Sequence, residues 1–212
     1  MSEQIKPELY TTLEGEGHDE FEERRSLFIG HAKHVTSEEE AMEFVKALKK
    51  EYSDATHNVW AYILKGGIIA RYSDDGEPQG TAGVPTLETI RKSGVEDAVV
   101  VVTRYFGGIL LGAGGLVRAY SHGAKIALEA AKIITYEKYS VYSLECSYSD
   151  YQKYIVLLPQ FNAIIDDTEF SDKVKVMFAL KSTTVSPLLE KIKEMSAGRD
   201  CPELLGERFD YR

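Results

Sequence analysis

Cysteine is scarce. Cys146 and Cys201 are the only two, and neither belongs to a C-x-x-C pair. A disulfide framework is thereby excluded as the basis of the fold, and two reduced thiols in a reducing compartment are expected. No run approaches the ~18–20 apolar residues that span a bilayer. The first 26 residues are acidic and polar, unlike a secretory leader. The expected location is the cytoplasm, with no membrane contact. Basic excess is missing too: 25 Lys and Arg stand against 34 Asp and Glu, a formal charge of −9. That removes the whole-protein field that draws nucleic acid without specificity, and leaves only a localised basic patch open.

Several catalytic signatures are also absent. There is no G-x-S-x-G elbow, no H-x-x-x-H arrangement, and no Gly-Lys-Ser/Thr run of a P-loop. Gly112 and Gly114 begin a dinucleotide fingerprint, but Val117 occupies its third glycine position. Cys146 lies in a strand pattern with no histidine near it in sequence, which disfavours a cysteine hydrolase. His31 and His34 stand three apart on a strand pattern, so they face opposite sides and cannot chelate one metal. No cofactor or metal is implied by these residues.

What is there reads as an α+β protein of 212 residues, long enough for one large domain or two small ones. Residues 8–35 carry the pattern of two strands, the second from Ser26 to Val35. Ser37 and Glu40 form a capping box ahead of Ala41, Phe44, Val45 and Leu48, predicting a helix over 38–52. Asn58–Lys65 and Ile68–Ser73 flank Gly66-Gly67 as a hairpin. A helix is expected over 81–93, with Pro85 in its first turn. Ala98–Tyr105 is continuously apolar enough to be a strand covered on both faces. The helix after it, 116–133, is rich in alanine and glycine, which lets it sit tightly on a sheet. Beyond Tyr136 the patterns run strand 139–148, helix to 160, strands 163–169 and 174–180, helix 184–197 and strand 204–211. That β-α-β-β-α-β order is the split β-α-β arrangement of ferredoxin-like domains. The expected domains are 1–135 and 138–212. Neither half is basic: 15 basic and 21 acidic residues precede position 137, and 10 and 13 follow.

Three clusters could carry chemistry. Gly107, Gly108, Gly112, Gly114 and Gly115 crowd the turn between a strand and a helix. They either present backbone N–H groups and a positive helix end to an anion, or merely permit close strand–helix packing. Arg104 and Arg118 flank the turn and could neutralise phosphate or carboxylate. Tyr105 offers a stacking face of the kind RNA binders use, while Phe106 reads as core. Asp74, Asp75 and Glu77 around Gly76 either hold Mg²⁺ and move protons or make a solvated turn. His57 and Asn58 form either a functional pair or a polar cap on the sheet.

Thr56–Tyr62, Asp74–Pro85 and Val101–Gly112 together resemble the YigZ/IMPACT family, the last stretch being its most specific signature. The resemblance covers both halves. It implies a first domain with the α+β fold shared by the second domain of a small-subunit ribosomal protein and by the GHMP kinases. It implies a second domain similar to the ferredoxin-like last domain of elongation factor G. Eukaryotic members regulate translation with an additional N-terminal domain absent from this sequence, so that role does not carry over. The functional expectation is a translation-associated, non-enzymatic protein binding RNA, the ribosome or a translation factor at the glycine turn. The alternative is an enzyme acting on a small phosphorylated or carboxylated metabolite, with the acidic loop and the helix start facing one pocket.

Overall fold

The computed structural model describes residues 9–64 and 66–211. The reading of residues 1–8 as part of a leader-free start, the hairpin strand end at 65 and the last residue of the second domain lie outside them. Residues 10–135 make one compact unit, and the chain from Tyr136 on belongs to another.

The chain opens with β1 (Leu9–Leu13), β2 (Glu16–Glu23) and β3 (Ser26–His34). Where two strands were expected there are three. The extra one, β2, is an edge strand whose sole large apolar residue, Phe21, stacks on Phe28 at 5.1 Å between ring centroids. An edge strand with one covered face needs little apolar sequence, so its acidic composition hid it.

Next come α1 (Glu38–Glu51), β4 (His57–Leu64), β5 (Ile69–Ser73), α2 (Gly83–Lys92), β6 (Ala98–Tyr105) and α3 (Ala113–Ala130). Ser37 caps α1 as its sequence predicts, accepting from the Glu40 N–H at 3.2 Å. The Glu40 carboxylate reaches back one residue further than the capping box requires, to the Thr36 N–H at 2.7 Å. The sheet runs β2-β3-β6-β4-β5 with every pair antiparallel. Helices cover both faces. Val99 and Val101 of β6 pack with Phe44, Val45 and Leu48 of α1. Val100 and Val102 pack on the other side with Leu87 and Ile90 of α2 and with Leu116, Tyr120 and Ala124 of α3. Such double cover explains the unbroken valine run. The small residues of α3 allow very close approach: a Cβ on Gly30 of β3 would lie 2.2 Å from the Gly123 carbonyl oxygen.

The strand β7 (Ile133–Cys146) starts in the first unit, where β1 lies beside it. The Glu14 N–H donates to the Lys132 carbonyl at 2.9 Å just ahead of it. The second unit continues with α4 (Tyr148–Gln160), β8 (Ile164–Phe170), β9 (Val174–Lys181), α5 (Ser182–Met195) and β10 (Glu203–Asp210). Its strands lie in the order β10-β7-β9-β8, all antiparallel. This realises the β-α-β-β-α-β order read from the sequence. Leu144, Tyr154, Leu158, Val176, Phe178, Leu188 and Ile192 form its core.

Cys146 and Cys201 are unbridged. Burial pushes the Cys146 thiol up to about 11, which keeps it protonated and inert at neutral pH. At the start of α4, the Lys153 ammonium and the Ser147 hydroxyl hold the buried Asp150 carboxyl below the usual carboxylate range. A depressed folded-state value stabilises above the unfolded value, near 3.9, and that stabilisation is lost as pH falls through the folded value. The second unit should therefore lose stability below pH ~4, and Asp150→Asn should flatten that acid limb. Urea midpoints followed by far-UV circular dichroism from pH 7 to pH 3 check this.

Candidate anion-binding site

The acidic loop after β5 spends its carboxylates inward. Asp74 accepts from the N–H groups of Gly80 (2.9 Å), Ala82 (3.1 Å) and Gly83 (2.8 Å). It thereby caps α2, whose own N-cap residue, Ala82, has no side-chain oxygen to offer. Asp75 accepts from the Asn58 N–H at 2.7 Å and pairs with Lys49 at 2.5 Å. Glu77 turns a third way, into the first unit. Its Oε1 accepts from Arg104 at 2.6 Å and from Tyr120 at 2.7 Å. The three carboxylates therefore do not converge, and a shared Mg²⁺ site at Asp74, Asp75 and Glu77 is not what the fold builds.

Arg104 corrects a second expectation. It was to flank the glycine turn as a free cation, but it is 5 % exposed and its charge is answered by Glu77. Its guanidinium sits between the rings of Phe28 and Phe106, 5.4 Å from each centroid. Burial and the Glu77 charge raise the Tyr120 hydroxyl far above the usual tyrosine range, so it stays a donor. Asn58 is equally committed: its Oδ1 accepts from Thr103 and its Nδ2 donates to the Tyr52 carbonyl. Of the His57–Asn58 pair, the histidine alone faces outward. His57 Nδ1 lies 2.8 Å from the Asp75 carbonyl, which can only accept. The proton of a neutral His57 ring is therefore on Nδ1, and Nε2 carries the lone pair. Nε2 stands 3.8 Å from Glu77 Oε1, too far for a hydrogen bond. Gly76 takes φ +90°, and a Cβ there would lie 3.4 Å from His57 Nδ1.

The glycine turn divides its labour. Gly107 is a packing glycine, since a Cβ there would lie 1.9 Å from the Arg25 carbonyl oxygen; its N–H donates to Ser26. Beyond it the turn is open. Gly108, Gly112 and Gly114 are exposed. The helix begins three residues earlier than its sequence predicts, so Gly114 and Gly115 lie in the first turn of α3. Gly112, at φ +71°, is the N-cap, and no side chain caps the helix. Among the described residues, no group accepts from the N–H groups of 108–115. The turn is thus unsealed, with donors and the positive helix end facing solvent.

Two clefts flank this turn and share Leu111. One, of about 400 Å³, is lined by Thr56, His57, Gly76, Glu77, Pro78, Arg104, Phe106, Leu110, Leu111, Gly112, Ala113 and Leu116. The other, of about 470 Å³, is lined by Phe21, Glu22, Glu23, Arg24, Leu111, Gly115, Arg118, Ala119 and His122. His57, Gly76, Glu77, Arg104 and Gly112 meet in the first. Arg118 belongs to the second, so the two expected arginines do not act together. The aromatic roles are exchanged as well. Phe106, expected in the core, is 44 % exposed on the first cleft, while the Tyr105 hydroxyl is tied to Asp54 at 2.8 Å.

Arg24 and Arg25 were not expected at the site. They form the two-residue turn between β2 and β3, both at positive φ (47° and 65°). That geometry favours Asn-Gly and costs an ordinary residue roughly 1–2 kcal/mol. Arg24 reaches the Leu110 carbonyl at 3.4 Å, against the glycine turn.

This arrangement places the chain in a class: a two-domain α+β protein whose first domain matches the Impact N-terminal domain over residues 24–128. Residues 144–199 match a domain of unknown function, DUF1949. The IMPACT family member YvyE of Bacillus subtilis is 34% identical over 90% of this chain and 88% of its own. A solved structure described only as a hypothetical protein is 32% identical, with a TM-score of 0.59 over 95% of this chain and 98% of its own. The chain belongs to the IMPACT family. Another solved relative, Yih1, is described as a two-domain translational regulator. It is 33% identical over 55% of this chain and 46% of its own, at a TM-score of 0.38. Among the described residues, no helix is long and apolar enough to cross a membrane.

Proposed function

We propose that the first unit is a translation-associated binding module that takes an RNA strand, free or ribosomal, across the turn at 107–115. One observation carries this: the N–H groups of 108–115 have no acceptor among the described residues, and their turn, mostly exposed, lies between two clefts. Phosphate oxygens suit the donors and the helix end. Arg24, Arg118 and His122 line one side, and Phe106 offers a ring on the other. An extended strand crossing the turn would meet charge in one cleft and a stacking face in the next. Glu22 and Glu23 share that side with Arg24 and Arg118, so its formal charge is zero and the attraction for phosphate rests on the N–H groups and the helix end. A ferredoxin-like second domain adds a second globular surface, and the cytoplasm is the compartment this reading requires.

Fluorescence anisotropy of a labelled 12-nucleotide RNA at 50 and 200 mM salt tests this. Binding should weaken with salt by about 0.7 log units per log unit of salt for each phosphate contact. Arg24→Ala with Arg118→Ala should lower both affinity and slope. No binding at 50 mM salt, or a double variant indistinguishable from wild type, would sink the RNA reading.

A second reading rests on the first cleft alone. Glu77 and the start of α3 face one space of about 400 Å³, within the ~300–1,000 Å³ of small-molecule sites. A small phosphorylated or carboxylated ligand would fit there, with its anion on the helix start.

A further inference from the structure

The second unit leaves one edge of its sheet open. β8 ends the strand order and, among the described residues, pairs with β9 alone. The register between them shows that its two faces differ in chemistry. Phe170 lies opposite Val174 and Thr168 opposite Val176, both valines of the core, so this pair faces the helices. Ile165, opposite the core residue Phe178, lies on the same side. Asp167 and Glu169, opposite Met177 and Lys175, face the other way.

On the helix side the edge is apolar and uncovered. Phe170, 59 % exposed, stacks on Tyr148 and meets Tyr151 edge-on, at 6.3 and 5.5 Å between ring centroids. Ile155 follows Tyr151 one turn along α4. Tyr148, Ile155, Ile165 and Phe170 are all exposed, and a shelf of large apolar side chains on a soluble fold marks an interaction site. On the open side Asp167 and Glu169 are exposed, and Asp172 extends the negative charge past the strand end. None of the three makes an ion pair with a described residue, since Lys173 is spent on Glu145 and Arg208 on Asp166. Lys175 stands opposite Glu169 without pairing to it.

The charge decides what fits here. A second copy of β8 is disfavoured, because antiparallel pairing would set its carboxylates against these. The same carboxylates repel a nucleic-acid backbone. Protection of an edge against self-association accounts for the charge and for the bulge between Ile165 and Asp167, but not for the exposed apolar shelf beside them. A strand added to an edge keeps the face alternation of its neighbour. We propose that the free edge of β8 docks an extended segment of a partner protein in which basic residues alternate with apolar ones. Its backbone pairs with β8, its apolar side chains lie on the Phe170 shelf, and its basic side chains meet Asp167 and Glu169. This surface lies wholly within the second unit and is independent of the turn at 107–115.

Two fluorescein-labelled ten-residue peptides test this, one alternating Val and Lys, the other Val and Glu. Each is titrated against the full chain at 50 mM salt and followed by anisotropy. The lysine peptide should bind, and the glutamate peptide should bind about tenfold more weakly or worse. Asp167→Lys with Glu169→Lys should reverse that order, which separates this edge from the chain's overall charge of −9. Phe170→Ser should weaken the lysine peptide several-fold. A central proline in that peptide, which a paired strand does not accept, should abolish its binding. All three substituted positions are exposed, and far-UV circular dichroism checks that the variants stay folded. No binding of the lysine peptide, an order unchanged in the double variant, wild-type binding by Phe170→Ser, or undiminished binding of the proline peptide overturns the docking site. A dimer in sedimentation that Phe170→Ser dissolves would make a second copy the occupant and overturn it as well.

Discussion

Arg104→Met is expected to cost the first unit about 3–5 kcal/mol. The arginine and Glu77 are both buried and meet at 2.6 Å. Removing one charge strands the other in the interior, a larger loss than the pair's net worth. Tyr120 alone would then hold the carboxylate at hydrogen-bond distance, with His57 at 3.8 Å. Replacing both charges, as Arg104→Met with Glu77→Leu, should restore much of the loss, since matched apolar substitutes often equal or exceed a buried ion pair. The measurement is convenient because the chain's single tryptophan, Trp60, lies in β4 beside β6. Its emission reports urea unfolding of the first unit alone. A single variant losing under about 1 kcal/mol would mean that the pair is solvated and that Arg104 is free to meet a ligand directly.

That pair marks where the sequence stopped being readable. The elements were legible because their signals are local. The valine run of β6 announced a strand covered twice, Ser37 and Glu40 announced the start of α1, and the small residues of α3 announced close packing. What stayed hidden depends on partners far along the chain. Glu77 finds Arg104 27 residues on and Tyr120 43 residues on. Nothing in Asp-Asp-Gly-Glu distinguishes a carboxylate capping a helix from one paired with an arginine. Several of the expected site residues therefore have structural duties in this fold: Asp74, Asp75 and Asn58 hold the loop in place, and Arg104 neutralises Glu77. Arg24 and Arg25 escaped for a different reason. Their turn has a backbone geometry that sequence statistics reserve for Asn-Gly, so two arginines there read as solvated charge. The exchange between Tyr105 and Phe106 has the same origin. Which of two adjacent rings leaves the sheet depends on where β6 ends, and Phe106 is the first residue beyond it.

Gly30→Ala should damage stability and ligand binding together. A Cβ on Gly30 would lie 2.2 Å from the Gly123 carbonyl oxygen and 3.0 Å from the Ala127 Cβ. The nearest obstacle is helix backbone, so no rotamer change relieves it, and α3 must move away from β3. Overpacking of this kind costs about 1–3 kcal/mol and occasionally more. The upper end is expected here, because Gly17 makes a matching approach to the far end of the same helix, with a Cβ 2.3 Å from the Ala130 carbonyl carbon. Pinned near both places, α3 cannot tilt away freely. Its first turn supplies the Gly112–Gly115 wall of the clefts, so a displaced helix also moves the anion donors. Trp60 emission in urea measures the stability loss, and RNA anisotropy at protein concentrations and temperatures where the variant remains folded measures the binding loss. Gly114→Ala is the control: a Cβ there meets nothing closer than 3.8 Å, at the end of the Arg118 side chain, and should leave stability unchanged. If Gly30→Ala folded with wild-type stability, α3 would have to rest further from β3 than described, and the positions of its donors would have to be revised with it.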